Sequence, residues 1–158
     1  MSTTIDATAT APRYLRPQRG DLAFNRFVGW LVRRGVSVAG ARRLSVRGRT
    51  TGEMRTTVVN LLELDGERYL VAPRGHTQWV RNLRSAGQGT LTVGRRHEPC
   101  VAEALADADK GPVLAAYLDR WAWEVGRFFE DLDADSDADA LAAAAPDFPV
   151  FRVIAAPR

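Results

Sequence analysis

The stretch "MRTTVVNLLELDGERYLVAP", Met54 to Pro73, constrains the fold more than any other part of the chain. Two runs of apolar and β-branched residues meet at Asp65-Gly66. A two-residue Asp-Gly loop suits a tight hairpin, because both central residues can take positive φ and match the twist of the strands. The stretch therefore predicts two antiparallel strands. "ARRLSVRG", 41–48, reads as a strand before them. "GTLTVGRRHEPCVAEALA", 89–106, reads as a second hairpin with its turn over Gly94 to Glu98, and "PDFPVFRVIAAP", 146–157, as a last strand. Three segments carry helical periodicity instead. "DLAFNRFVGWLVRRGV", 21–36, has an apolar face and a basic one, with Asp21 placed to cap it and Gly35 to end it. "HTQWVRNLRSAG", 76–87, spaces Trp79, Val80 and Leu83 as one helix face. "GPVLAAYLDRWAWEVGRFFEDL", 111–132, puts Leu114, Tyr117, Leu118, Trp121, Val125, Phe128 and Leu132 on one stripe. The acidic, Ala-rich 133–145 reads as a loop or short helix. The order predicts an α+β fold: about six mostly antiparallel strands in a small barrel or curled sheet, with helices packed outside.

The 158 residues suit one domain, expected over 21–158, and the polar residues 1–20 read as a mobile arm. No apolar run approaches the roughly 20 residues of a membrane span, and the N-terminus lacks the apolar core of a secretory signal. The single cysteine, Cys100, allows no internal disulfide and fits a reducing cytoplasm. Charge divides the chain. Residues 1–100 hold 17 Arg and no Lys against 7 acidic residues, a net of +10, while residues 101–158 have a net of −7. A basic front half predicts an anionic partner, and Arg favours bidentate contact with phosphate or carboxylate. The acidic back half and the lack of any recognised binding motif argue against nucleic acid. A basic amphipathic helix at 21–36 leaves peripheral contact with a membrane surface open.

The basic residues concentrate at "SVRGRTTGEMRTTVV", 45–59. Arg47, Arg49 and Arg55 surround a turn from Gly48 to Gly52, with Thr50 and Thr51 as hydroxyl donors. Strands flank this turn, so it is not a Walker A loop. Arg74-Gly75 follows the next strand and precedes a helix whose first amides would face an anion. A hairpin pairing Glu63 with Arg68 predicts Arg55 and Arg74 close together without an acidic partner, an arrangement a ligand would relieve. Two histidines, His76 and His97, with Cys100 do not make a metal site. No nucleophile and base are paired recognisably. Tyr117 and Trp121 fall on the buried stripe, so packing competes with any site role.

These motifs, "LSVRGRTTGEMRTTVV", "YLVAPRGHTQWVRNL" and the terminal "PDFPVFRV", resemble the deazaflavin (coenzyme F-420)-dependent nitroreductase family of the flavin/deazaflavin oxidoreductases. The resemblance implies a split β-barrel and the coenzyme F-420 (an 8-hydroxy-5-deazaflavin), with FMN as the alternative. It assigns Arg47, Gly48, Arg49, Thr50, Thr51, Arg55 and Thr56 to cofactor binding, with Ala72, Pro73, Arg74 and Gly75 from the second motif. Trp79, Val80, Asn82 and Leu83 match the short helix beside the ring. "GEMR" stands where the family more often has Pro before the Arg, and "RGHTQW" is a shorter loop than usual. The implied reaction passes hydride from the reduced cofactor to a small electron-poor acceptor: an enone, quinone or nitroaromatic. Tyr117 is then the candidate catalytic hydroxyl, and Trp121 and Trp123 the candidate substrate wall. A non-catalytic carrier of F-420 or of an apolar ligand is the rival reading. Split-barrel proteins of this kind are often dimers, so the resemblance allows a homodimer.

Overall fold

The computed structural model describes residues 40–125, 128–129, 132–133 and 135–157. The arm expected at 1–20 and the helix expected at 21–36 lie outside the described residues. Six strands are described, β1 (Ala41–Arg47), β2 (Met54–Leu64), β3 (Glu67–Val71), β4 (Gln88–Val93), β5 (Arg96–Ala104) and β6 (Val150–Ala155); α1 (Gln78–Ala86) lies between β3 and β4, and α2 (Gly111–Val125) and α3 (Ala138–Ala144) between β5 and β6. Short 3-10 turns occupy Asp107–Asp109 and Ala145–Asp147. Every strand pair is antiparallel, and the order β1-β2-β3-β6-β5-β4 closes into a barrel. This is the α+β barrel that the strand pattern and the resemblance imply.

The hairpin signal works as expected. Glu63 opposes Arg68 and Leu64 opposes Glu67, with Asp65 at φ 52 and Gly66 at φ 79 between them. The second hairpin is tighter than its sequence suggests. Its turn is only Gly94-Arg95, since Val93 already pairs with Arg96 and Leu91 with Glu98. The glycine at positive φ in the first turn position lets the strands meet three residues sooner.

Two cores form on the two faces of the sheet. Inside the barrel, Leu44, Val46, Leu61, Leu70, Leu91, Phe151 and Val153 pack with Val80 and Leu83, which α1 inserts from one side. Outside, α2 lays Leu114, Tyr117, Leu118 and Trp121 over Leu62, Val71 and Val150. Each fully buried side chain of this size contributes about 1.5–3 kcal/mol. The single helix expected over 111–132 is shorter. It leaves helical geometry at Trp121 (φ −126, ψ 15) and ends at Val125. Trp121 lies against Gly40, whose φ is +90; a Cβ there would meet the indole Cζ2 at 3.0 Å. Phe129, not Phe128, fills the outer core and stacks on Phe148 at 4.3 Å between centroids. The stretch 133–145 contributes α3, where the Asp137 carboxylate accepts from the Ala140 amide at 2.8 Å.

At the barrel end that carries the Asp65-Gly66 turn, Arg68 makes two hydrogen bonds to Glu98, at 2.8 and 2.7 Å. Those hydrogen bonds hold the Glu98 carboxyl below its ordinary value, against the opposing effect of burial. The unfolded chain therefore binds a proton at Glu98 before the folded one does. The pair's contribution is fully present above pH 4.5, the ordinary value, and is lost as pH falls through the lower folded-state value. Glu98→Gln is expected to flatten the acid limb of a stability-versus-pH curve and to cost about 1 kcal/mol or less near neutrality. An acid limb identical to that of the parent would refute this. No helix among the described residues is long and apolar enough to cross a membrane.

Candidate functional site

Antiparallel pairing places two basic loops at one end of the barrel. β1 ends where β2 begins, and β3, antiparallel to β2, finishes toward that same end. The turn 48–53 and the loop 72–77 therefore both open there, and α1 starts directly after the second.

The turn is rigid. The Gly48 amide donates to the Glu53 carbonyl at 2.7 Å, and the Gly52 amide to the Gly48 carbonyl at 2.9 Å. Arg47 Nη1 donates to the Gly52 carbonyl at 2.9 Å. Thr51 Oγ1 accepts from the Glu53 amide at 3.3 Å, while Thr50 and Thr56 stand exposed. Arg49 docks the turn on α1. Its Nη1 donates to Asn82 Oδ1 at 2.7 Å and to Gln78 Oε1 at 3.0 Å, and its amide donates to Asn82 Oδ1 at 3.2 Å. Asn82 is buried, so its side-chain oxygen is well placed to hold both donors of Arg49.

The loop 72–77 is a pair of tight turns. The Gly75 amide donates to the Ala72 carbonyl at 3.1 Å, and the Thr77 amide to the Gly75 carbonyl at 2.9 Å. Thr77 then begins α1 in extended geometry, with no side-chain cap and no acidic residue in the first turn. The first amides of a helix have no partners within it, so this end carries partial positive charge. Thr77 Oγ1 is buried and has no hydrogen-bond partner among the described residues. A buried hydroxyl in that state costs free energy unless something binds it. Thr77, His76 and Gln78 escaped the motif reading; the signal for Thr77 was its place as a favoured N-cap type directly before the helix.

The remaining expected site residues lie on different elements. Arg55 and Arg74 do not share a pair of strands. The β2–β3 ladder stops at Leu61 opposite Leu70, so Arg55 lies well beyond it and opposes Val46 of β1. Arg55 also has an acidic neighbour, Glu53, at 3.3 Å. Arg74 lies past the end of β3, with its guanidinium 4.5 Å from the centre of the Phe128 ring. Pro73 is half-buried beside it. Ala72, Val80 and Leu83 face the barrel core, so they seat the loop and the helix. Trp79 is half-buried, 6.2 Å from Phe151. Tyr117 and Trp121 are enclosed in the outer core, their rings 5.0 Å apart, with Tyr117 6.1 Å from Phe129. That placement makes both packing residues and gives neither an open wall. The side chain of Trp123 lies outside the described residues.

Solved structures share the fold at low identity. A protein of unknown function from Agrobacterium tumefaciens matches with a TM-score of 0.55 and 17% identity, over 92% of this chain and 59% of that one. The chain thus spans under two thirds of that relative. An F420H2-dependent reductase matches at 0.51 and 16%, over 73% of this chain and 94% of that one. A heme binding protein from Mycobacterium smegmatis also matches at 0.51 and 16%, over 89% and 52%. Such likeness shows the barrel and nothing finer. Comparison with curated protein sequences gave no match. A family model is decisive: that of the F420H2-dependent quinone reductases matches residues 23–123, well over half of the sequence. With the barrel, the two basic motifs and this match in agreement, the chain belongs to the F420H2-dependent quinone reductase family.

Proposed function

We propose that this protein transfers a hydride from reduced coenzyme F-420 to a small electron-poor acceptor, with quinones first and enones or nitroaromatics beside them. The observation that carries the reading is the start of α1. A helix N-terminus without a side-chain cap and the buried Thr77 hydroxyl, which has no hydrogen-bond partner among the described residues, lie at the barrel end where both arginine-bearing loops open. Family membership supports F-420 over FMN.

The residues present fit such a group. The Thr77 hydroxyl and the first amides of α1 suit an electron-rich ring carbonyl, while Arg49, Arg55 and Arg74 suit a tail of phosphate and carboxylates. The hydride itself comes from C5 of the reduced deazaflavin ring, and the cofactor supplies that chemistry. The protein binds, orients and shields. The Asn82–Arg49 contact fixes the turn against the helix, so that the basic side chains and the helix amides act on one ligand. Positive helix-end charge at the start of α1 would favour the electron-rich form of a bound ring, so its part would be to bind and orient the cofactor. No side chain of this end is required to form a covalent bond to the substrate.

The test is a spectroscopic titration with F-420, with a deazaflavin lacking the tail, and with FMN, each at two ionic strengths. F-420 is expected to bind at least about tenfold tighter than either of the others, the value of one further charge-assisted contact of about 1.5 kcal/mol. Its affinity is expected to fall as salt rises. Equal affinity for the tail-less ring would remove the arginines from the site. Tight F-420 binding without reduction of any quinone, enone or nitroaromatic would make the protein a carrier.

A further inference from the structure

Lys110 is the only lysine in a chain otherwise built with arginine, and it is buried. Its ammonium donates to Asp107 Oδ1 at 2.6 Å and to the Ala145 carbonyl at 2.9 Å. The site offers one carboxylate oxygen and one carbonyl. A compact ammonium meets them, whereas a planar guanidinium with five N–H groups would leave donors unmet. Lys110 thereby pins the 3-10 turn Ala145–Asp147.

That pinned turn in turn holds the loop before α1. The next carbonyl, of Pro146, accepts a hydrogen bond from His76 Nε2 at 3.2 Å; a carbonyl only accepts, so Nε2 carries the proton. Three residues on, the Pro149 carbonyl accepts from the Ala72 amide at 2.9 Å. Both acceptors are prolines, whose fixed φ stiffens the backbone that presents them. The loop 72–77 is thus gripped near both ends from outside, and Thr77 with the first turn of α1 follows the second grip directly.

We propose that Lys110 and His76 are positioning residues: through the turn Ala145–Asp147 they set where the 72–77 loop holds the start of α1, and so the affinity for the cofactor. The inference rests on the F-420 reading for its last step only. His76 stands at the surface side of the contact, so its removal should act locally.

The experiment is hydrogen–deuterium exchange on the free, full-length protein, paired with F-420 titration, for the parent, His76→Ala, His76→Gln and Lys110→Met. In His76→Ala, peptides covering 72–81 are expected to exchange about tenfold faster or more, with the barrel strands unchanged. F-420 affinity is expected to fall about fivefold, the value of one neutral hydrogen bond. His76→Gln, which keeps an N–H donor, should restore most of both. Lys110→Met should loosen the same peptides, and if it does not fold, His76→Ala still decides. Unchanged exchange at 72–81, faster exchange spread evenly over the barrel, no rescue by Gln, or faster exchange with full F-420 affinity would each overturn the proposal. If the parent itself binds no F-420 while His76→Ala still frees 72–81, the grip on the loop stands and the cofactor reading falls.

Discussion

Asn82→Ala is expected to weaken F-420 binding by about 10- to 100-fold and to lower unfolding stability by about 1–3 kcal/mol. Asn82 is buried, and its one oxygen holds the Arg49 amide and guanidinium together. One of these bonds is charge-assisted, and such bonds are the stronger ones. Without them the Arg49 amide needs water as a partner, and the turn 48–52 is no longer tied to α1. The affinity loss follows because the basic turn and the helix start then act on a ligand separately. Asn82→Asp separates the two effects. It keeps the acceptor for Arg49, so stability should stay near that of the parent, yet its charge opposes an anionic tail and affinity should still fall. Paired titrations and denaturant melts of the three proteins measure this. Parent-like affinity in folded Asn82→Ala would place the tail away from this turn.

Trp121→Ala is expected to destabilise the protein by about 3–5 kcal/mol, a large share of the 5–15 kcal/mol typical of a domain. The indole is fully buried, packed on Gly40 and Tyr117, with the Arg120 guanidinium 4.7 Å from the ring centre. A residue lining an acceptor pocket would behave differently: its loss would raise KM for the acceptor and leave the melt nearly unchanged. Thermal melts beside steady-state kinetics distinguish the two, and the second pattern would return Trp121 to the substrate wall that its resemblance to the family implies.

The fold was legible because its strands are bounded by strong local signals. Asp65-Gly66 sets one hairpin register without help from the rest of the chain. Helix α1 was legible from Trp79, Val80 and Leu83, since their spacing matches what the barrel core must cover. The second hairpin was misjudged where Gly94 alone made a tighter turn feasible. The site was legible as a set of residue types and less so as an arrangement. Arg55 and Arg74 lie near one another on a simple hairpin diagram, but β2 outruns β3, and ladder length is a tertiary property. Phe129 is buried in the outer core while Phe128 packs partly buried against it, a detail that a continuous helical stripe does not give. Lys110 was visible all along as the lone lysine, but only its carbonyl partner at Ala145 gives that rarity a meaning.

The place of β6 in the ring also governs how the chain reaches its fold. β6 sits between β3 and β5, pairing Leu70 with Phe151 and Ala102 with Val153. The β3–β6 contact joins residues far apart in sequence, and pairings of that kind form slowly. During synthesis β1 to β5 emerge before β6, and the facing edges of β3 and β5 have no mutual partner until β6 follows. Open edges of that kind invite pairing with other chains. Barrel closure therefore waits on β6, and until it pairs, the edges of β3 and β5 are where this chain is most open to pairing with others.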